Sequence, residues 1–257
     1  SILEERVFLS PAALPAARAA RARALADRDD GVGPTWLAVP SGEAGEFAGL
    51  CAHAVAGRAP PVPLFLDGRP GGRRWTLGHF SCVAGVNLSD GANDPAAATQ
   101  RLLADADRLL AAGNLGWPDV ARTWFWLRDI LHWYGDFNRV RNEGYRTRGL
   151  LRADGAHRLP ASTGIGIAPA NGSHGAMDFI AESGAAPIAR LLRAGRQNPA
   201  SAYGSAFSRA TVSVTPFGRR IQVSGTASIG ADGRTLHGGD PRGQIAETLR
   251  CVQAVLA

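Results

Sequence analysis

Polar side chains recur at helical spacing in one segment of the chain. Tyr134, Asn138, Arg141 and Tyr145 stand at positions i, i+4, i+7 and i+11, so on a helix they share one face. An arginine on that face can pair with a carboxylate or a phosphate through two parallel hydrogen bonds. A solvated basic helix face explains the same spacing, because further arginines lie close by in this stretch. Both interpretations stay open at this level.

A second arginine stands just before a predicted strand. Arg209 precedes the β-prone residues 211–214, and the loops that enter and leave strands commonly build binding sites. We interpret Arg209 as a second group that binds a carboxylate. The alternative is an exposed arginine that protects a sheet edge from pairing.

The segment 224–228 combines small and hydroxyl-bearing side chains: Ser224, Gly225, Thr226, Ala227 and Ser228. A backbone of this kind can approach a ligand closely and offer it N–H donors. A β-bulge explains the glycine almost as well. The segment therefore becomes a candidate only together with the two arginines.

Composition limits the classes of function. The chain has 257 residues, of which 45% are hydrophobic and 19% charged, which is enough to build a substantial core. All 28 basic residues are arginine, against 22 acidic residues, for a net charge of +6. Because the arginines are spread along the chain, a small anionic ligand is favoured over nucleic acid as a partner. No apolar run approaches the length of a membrane helix, and we expect a cytoplasmic protein.

The sequence gives no sign of a metal site or a cofactor site. The three cysteines lack metal-ligand spacing, and the histidines neither repeat at i, i+4 nor pair with carboxylates in a metal-like way. The glycine-rich loops lack the residues of a phosphate cradle. We therefore expect neither a metal nor a cofactor.

Hydrophobic periodicity predicts an α+β fold, with helices packed on one face of a mixed sheet. The predicted helices cover residues 13–27, 44–57, 96–112 and 133–147, and another begins after Asp240-Pro241. The predicted strands cover residues 80–88, 122–131, 161–168, 176–181, 211–214 and 221–229.

Part of this pattern occurs twice. The strand with Gly85 is followed by Asp94-Pro95 and a helix, and the strand with Gly225 is followed by Asp240-Pro241 and a helix. The two glycines are 225 − 85 = 140 residues apart, a period typical of a duplicated domain. We expect two tandem modules, the second of them incomplete after its first helix.

Over residues 75–257 the sequence resembles the RidA/YjgF superfamily and, within it, the chorismatases. The resemblance is carried by residues 124–138, Arg141-Asn142, and the segments 160–166, 203–210 and 224–228. RidA-type imine deaminases carry an arginine in a Pro-Ala-Arg-Thr segment, where this chain has Ser162 in Pro-Ala-Ser-Thr. The substitution weakens the imine deaminase interpretation and favours chorismatase.

The resemblance implies a division of the chain and an activity. Residues 1–62 would be an N-terminal segment of uncertain fold, 63–183 a first RidA-like module and 184–257 a second. The activity would be cofactor-free cleavage of chorismate to pyruvate and either 3-hydroxybenzoate or a dihydroxycyclohexadiene carboxylate. A homotrimer is possible, because single-module relatives assemble as trimers.

The same resemblance implies that Tyr134 and Arg141 bind the substrate. Arg209 would bind its second carboxylate, and residues 225–228 would line its ring. Chorismatases use a late glutamate as general acid, for which no counterpart is found before Ala257, so Glu182 is a weak candidate. The alternative function is a non-catalytic protein that binds a small anion or takes part in an assembly.

Overall fold

The computed structural model describes residues 1–39, 47–57, 59–89, 94–195, 197–231 and 233–257. The helices are α1 (Leu14–Leu25), α2 (Pro95–Ala112), α3 (Ile130–Thr147) and α4 (Pro241–Leu256). The strands of the first half are β1 (Ile2–Leu9), β2 (Thr35–Ala38), β3 (Phe47–Ala54), β4 (Val62–Leu66), β5 (Arg69–Leu77), β6 (Phe80–Ser89) and β7 (Val120–Leu127). The second half adds β8 (Ala161–Ile165), β9 (Ala168–Pro169), β10 (Gly175–Ser183), β11 (Ala189–Leu191), β12 (Ala210–Thr215) and β13 (Gly218–Val223). The predicted α+β class is confirmed.

A mixed sheet of six strands forms the centre of the molecule, in the order β4-β5-β6-β10-β7-β8. Only the β7–β8 pair is parallel, because α3 joins these strands as a crossover helix. The helices α2 and α3 cover one face of the sheet, where Phe125 of β7 and Phe179 of β10 pack against Leu103 and Phe137. This packing fixes α3 beside the end of β8, the edge strand.

The N-terminal sheet, in the order β3-β1-β2-β9, covers the opposite face of the central sheet. Leu3 of β1 packs there with Trp75, Cys82 and Ile180 of the central strands. Since successive strand residues point to opposite faces, the even-numbered residues of β10 face this sheet and the odd-numbered ones face the helices.

The third sheet, β11-β12-β13, joins the central sheet beside its edge strand. The backbone N–H of Ser208 donates to Pro160 (2.9 Å), and the N–H of Ser162 donates to the Ser224 hydroxyl (2.8 Å). The chain on either side of the β12–β13 hairpin is thereby held against the start of β8. Residues separated by about 60 positions in sequence meet at this junction.

The two predicted helix starts are confirmed in detail. The Asp94 carboxylate accepts from the N–H of Ala97 (2.8 Å), and the Asp240 carboxylate accepts from the N–H of Gly243 (3.0 Å). A proline follows each aspartate at the first helical position. The N-termini of α2 and α4 are therefore capped in the same way, by an aspartate that accepts from a free backbone N–H and a proline that has none.

The helix predicted over residues 44–57 is wrong. Residues 44–46 lie outside the described part, and the rest form β3, which pairs antiparallel with β1 from Ile2↔Ala54 to Leu9↔Phe47. A ladder of backbone hydrogen bonds to β1 outweighs the helix preference of alanine, because tertiary contacts override local propensity. The predicted boundary at residues 62 and 63 falls at the start of β4 in the central sheet, and the division into modules stays a prediction.

Three predicted strands are too long. The strand over 161–168 ends at Ile165, and Ala168 belongs to the separate strand β9, which pairs with β2. The strand over 122–131 ends at Leu127, since Ile130 and Leu131 already belong to α3. The strand over 221–229 ends at Val223, so Gly225 lies beyond the strand while Gly85 lies inside one. The reason lies at Gly225, whose N–H donates to the backbone oxygen of Ser162 in β8 (3.2 Å), whereas the N–H of Ser224 still donates to Arg209 beside β12 (2.9 Å).

None of the helices in the described ranges combines the length and the apolar character needed to cross a bilayer.

Candidate functional site

Arg141 lies inside the protein, although its helix also carries exposed arginines. The residue is only 2% exposed, and its Nη2 donates to the Asn138 side-chain oxygen (2.7 Å). The guanidinium carbon stands 4.9 Å from the centre of the Phe137 ring, and the Nε is buried without a hydrogen-bond partner. The solvated-face interpretation is therefore wrong for this arginine, and holds for Arg139, whose side chain is 68% exposed.

Burial leaves the Arg141 cation poorly compensated. It lowers the pKa of Arg141, while the nearby hydroxyls of Tyr145, Tyr134 and Tyr203 act in the opposite direction. No carboxylate is paired with Arg141 among the described residues. A buried cation of this kind is suited to receive an anion from outside the chain.

Arg209 is the second buried arginine, 4% exposed. Its Nη2 donates to the backbone oxygen of Asn198 (2.7 Å), and its Nε is buried without a partner, like that of Arg141. The guanidinium carbon lies 5.5 Å from the Tyr203 ring centre and 5.3 Å from the Phe207 ring centre. The alternative of an exposed edge-strand arginine is therefore wrong.

Tyr203 connects the two arginines. Burial raises the pKa of Tyr203, and the positive charges of Arg209 and, to a smaller extent, Arg141 oppose this. A tyrosine hydroxyl can both donate and accept a hydrogen bond. Two under-satisfied guanidinium groups and a polarised hydroxyl thus form an arrangement for binding an anion, which we term the arginine pair (Arg141, Arg209 and Tyr203).

Hydrogen bonds between α3 and the segment before β12 hold the arginine pair together. Asn142 donates from its side chain to the backbone oxygen of Gly204 (2.8 Å), and the Ser205 hydroxyl donates to the Asn138 side-chain oxygen (3.3 Å). Asn138 is the same residue that accepts from Arg141. The contacts span 62 and 67 positions in sequence, so only the folded chain brings these groups together.

Tyr134 and Gly225 meet the end of β8. Tyr134 is 41% exposed, and a Cβ at Gly164 would lie 3.8 Å from its ring. The N–H of Gly225 donates to the Thr163 hydroxyl (2.8 Å), and a Cβ at position 225 would come within 2.5 Å of the Thr163 methyl group. Only glycine fits this close approach, and it places residue 225 next to the strand that Tyr134 covers.

The residues after Gly225 turn away along α4. The Thr226 hydroxyl accepts from Gln197 (3.0 Å), and the Ser228 hydroxyl donates to the backbone oxygen of Leu236 (2.9 Å). Thr226, Ala227 and Ser228 line a cavity of about 490 Å³ together with side chains of α4. The structure thus places Gly225 beside β8, whereas 226–228 face α4.

The structure does not bring Glu182 to the arginine pair. As an even-numbered residue of β10, Glu182 faces the N-terminal sheet, whereas α3 covers the other side of the central sheet. Its carboxylate, 2% exposed, accepts from the Ser213 hydroxyl and is ion-paired with Arg220. These two contacts within the fold explain why Glu182 is buried.

Sequence reasoning singled out neither Tyr203 nor Arg122. Arg122 of β7 donates from Nη2 to the Thr163 hydroxyl that binds Gly225, and its Nη1 is buried without a partner. Burial lowers the pKa of Arg122 to about 9, with a further contribution from the charge of Arg6. The sequence did contain a signal for Arg122, which stands among the hydrophobic residues of a predicted strand. A charged residue buried in this way needs a partner.

Within the described ranges, no three His, Cys, Asp or Glu side chains are grouped as a metal ion would require.

Comparison with solved structures identifies the fold. A chorismatase crystal structure matches 99% of this chain and 72% of its own chain, with a TM-score of 0.65 and 23% sequence identity. This chain has the chorismatase fold. The resemblance found in the sequence is confirmed at that level, and the match extends over the first 62 residues, for which the sequence suggested no counterpart.

Two shorter proteins match about half of the chain. The YjgF gene product from E. coli covers 46% of this chain and 91% of its own, with a TM-score of 0.37 and 15% identity. E. coli TdcF with bound serine covers 48% and 93%, with a TM-score of 0.38 and 13% identity. No protein-family model matches the chain, and a sequence search of curated proteins gives no match.

Proposed function

We propose that this protein binds chorismate at the arginine pair and cleaves it to pyruvate and a six-membered ring acid. The single observation that supports this most strongly is the presence near Tyr203 of two buried guanidinium groups, each with an unpartnered Nε. Chorismate carries two carboxylates, which such a pair can bind separately. The chorismatase fold supports the same substrate class.

The proposed reaction begins at the enol ether of the pyruvyl arm. A proton added to its methylene carbon gives an oxocarbenium-like centre, and water or the ring hydroxyl is the attacking group. Water adds to the oxocarbenium carbon, and collapse of the resulting hemiketal releases pyruvate and leaves the ether oxygen on the ring as a dihydroxycyclohexadiene carboxylate. Alternatively, the ring hydroxyl oxygen bonds to the ring carbon that carries the ether and loses its proton, the bond from that carbon to the ether oxygen breaks with release of pyruvate, and the ring epoxide that forms opens with loss of a ring proton to 3-hydroxybenzoate. Arg141 and Arg209 would hold the carboxylates during this step, while Tyr134 and Tyr203 donate hydrogen bonds.

Pyruvate release tests the proposal directly. The purified chain is incubated with chorismate, pyruvate is followed with lactate dehydrogenase and NADH, and the ring product is identified by chromatography. Arg141→Ala and Arg209→Ala should each lower kcat/KM about 30- to 1000-fold. Each removes a buried charge-assisted interaction that stabilises the transition state by ~2–4 kcal/mol. Arg139→Ala, on the exposed side of the same helix, is the matched control and should keep wild-type kinetics.

A second candidate function is binding of the diacid without turnover. The observation that favours it is the absence, in the described ranges, of a carboxylate paired with either arginine, which leaves no carboxylic acid beside them to supply the proton. Calorimetric titration separates the two candidates. Saturable chorismate binding that Arg209→Ala abolishes, with no pyruvate formed, would support the binding protein and contradict the enzyme.

A further inference from the structure

A groove opens beside the arginine pair, behind the turn that carries Tyr203. Its volume is about 570 Å³, within the range of about 300–1,000 Å³ that is usual for small-molecule sites. One wall comes from the end of α3 and the loop after it, and the other from Arg193 and from residues between 198 and 206. Its described polar residues are Asn142, Arg146, Arg152, His157, Arg193, Asn198, Ser201 and Ser205.

The charge of the groove is one-sided. Among the described residues that line it there is no aspartate or glutamate, while there are three arginines and one histidine. Arg146 and Arg152 pair with Glu143 (3.0 Å) and Asp154 (2.5 Å), whose carboxylates are at least half exposed and lie outside the lining. Arg193 has no ion-pair partner within the described part of the chain. The groove therefore presents cations to whatever enters it, which favours an anion.

Asn142 adds a hydrogen-bond acceptor to the groove, in contrast to the donors of the arginines. Its side-chain nitrogen is used by the backbone oxygen of Gly204 (2.8 Å), so its side-chain oxygen is left as an acceptor. That oxygen is buried and has no hydrogen-bond partner. A buried acceptor without a donor costs about 1–3 kcal/mol, which a ligand hydroxyl could offset.

We propose that this groove is a second ligand site, specific for a hydroxylated di- or tricarboxylic acid. The arginines would bind the acid groups, and the Asn142 oxygen would accept from the ligand hydroxyl. The site differs from the arginine pair because Arg141 and Arg209 do not line it.

Occupation of the groove should also affect the arginine pair. Ser205 lines the groove and binds Asn138, which accepts from Arg141, and Asn198 lines it while its backbone oxygen accepts from Arg209. A ligand in the groove thus contacts two segments that hold the arginines. Such shared contacts are the physical basis of coupling between sites, and the coupling must be reciprocal.

Citrate is the probe for the test, with propane-1,2,3-tricarboxylate as its analogue without the hydroxyl. Titration calorimetry of the full chain should show saturable binding of one citrate, and about tenfold weaker binding of the analogue, since the Asn142 oxygen then stays unpaired. Arg193→Gln should weaken citrate binding about tenfold, through loss of one charged hydrogen bond. Arg139→Gln lies outside the groove and should change nothing.

Two results would overturn the proposal. They are absence of saturable citrate binding, and equal weakening of citrate binding by Arg193→Gln and Arg139→Gln. The second result would place citrate outside the groove. Failure of chorismate cleavage bears only on the proposed function, because the citrate titration is read without chorismate.

Discussion

Replacing Arg141 with methionine should stabilise the ligand-free fold and remove its ligand site at the same time. The buried guanidinium makes one hydrogen bond, to Asn138, and lies over Phe137. Losing the hydrogen bond costs about 1.5 kcal/mol, and losing the ring contact costs about 1 kcal/mol. Removing a buried, under-compensated cation gives back several kcal/mol, so the net gain in the free energy of unfolding should be about 1–2 kcal/mol. Methionine is flexible enough to occupy the space that the arginine stem leaves.

The same substitution removes both hydrogen bonds that the guanidinium fork would make to a substrate carboxylate. At about 1.5–3 kcal/mol for each, chorismate binding should weaken by at least about 100-fold. The assays are urea denaturation without ligand and calorimetric titration with chorismate. At about 2–4 °C per kcal/mol for a chain of this size, the melting temperature should rise by a few degrees.

Arg139→Met is the matched control for Arg141→Met. Arg139 is exposed and pairs with Asp136 on the surface (3.1 Å), so both its stability and its ligand affinity should stay within about 0.5 kcal/mol of wild type. A less stable Arg141→Met protein that still binds chorismate normally would refute the reasoning. Such a result would make Arg141 a structural residue.

Three further predictions concern other parts of the molecule. Tyr203→Phe should weaken chorismate binding about tenfold in calorimetry with an unchanged melting temperature, and unchanged affinity would exclude the tyrosine from the site. Burial raises the pKa of Glu4 from 4.5 to about 6, so the folded protein binds this proton more tightly and stability falls as pH rises through that interval. Relative to Glu4→Gln, the wild-type free energy of unfolding should drop by about 2 kcal/mol between pH 4.5 and 7, and parallel pH profiles would contradict this assignment. Gly225→Ala should lower the free energy of unfolding by about 1–3 kcal/mol because its methyl group would collide with Thr163. Gly135→Ala, in open space on α3, should raise it by about 0.5–1 kcal/mol. Equal urea midpoints for the two variants would show that no collision occurs.

Local features of the sequence predicted the elements that depend on local forces. Asp94 and Asp240, each followed by proline, marked the starts of α2 and α4, because a cap acts on backbone groups only two or three residues away. The apolar spacing of α2 likewise indicated the face that it buries. The resemblance to chorismatases led to the correct fold from 75 onwards.

Elements whose stability comes from distant partners were mispredicted. The strand β3 reads as alanine-rich and helix-prone, yet it pairs with β1, about 40–50 residues away. The end of β13 depends on the contact between Gly225 and β8, which no pattern within the strand reveals. Glu182 was a candidate because it lies in the strand that closes the first predicted module, but the side of the sheet that it faces is decided by the packing of α3 and the N-terminal sheet.

The sequence by itself determined the α+β class, the helix starts, the basic charge and the two arginines worth examining. It could not determine whether those arginines were buried or solvated, since Arg139 and Arg141 lie on the same helix and have the same local helix propensity. The tertiary structure decided this, by closing the segment with Tyr203 over α3 through contacts more than 60 residues apart in sequence. Burial removes water from a guanidinium group, and its charge and hydrogen-bond donors then lack the partners that an anion can provide.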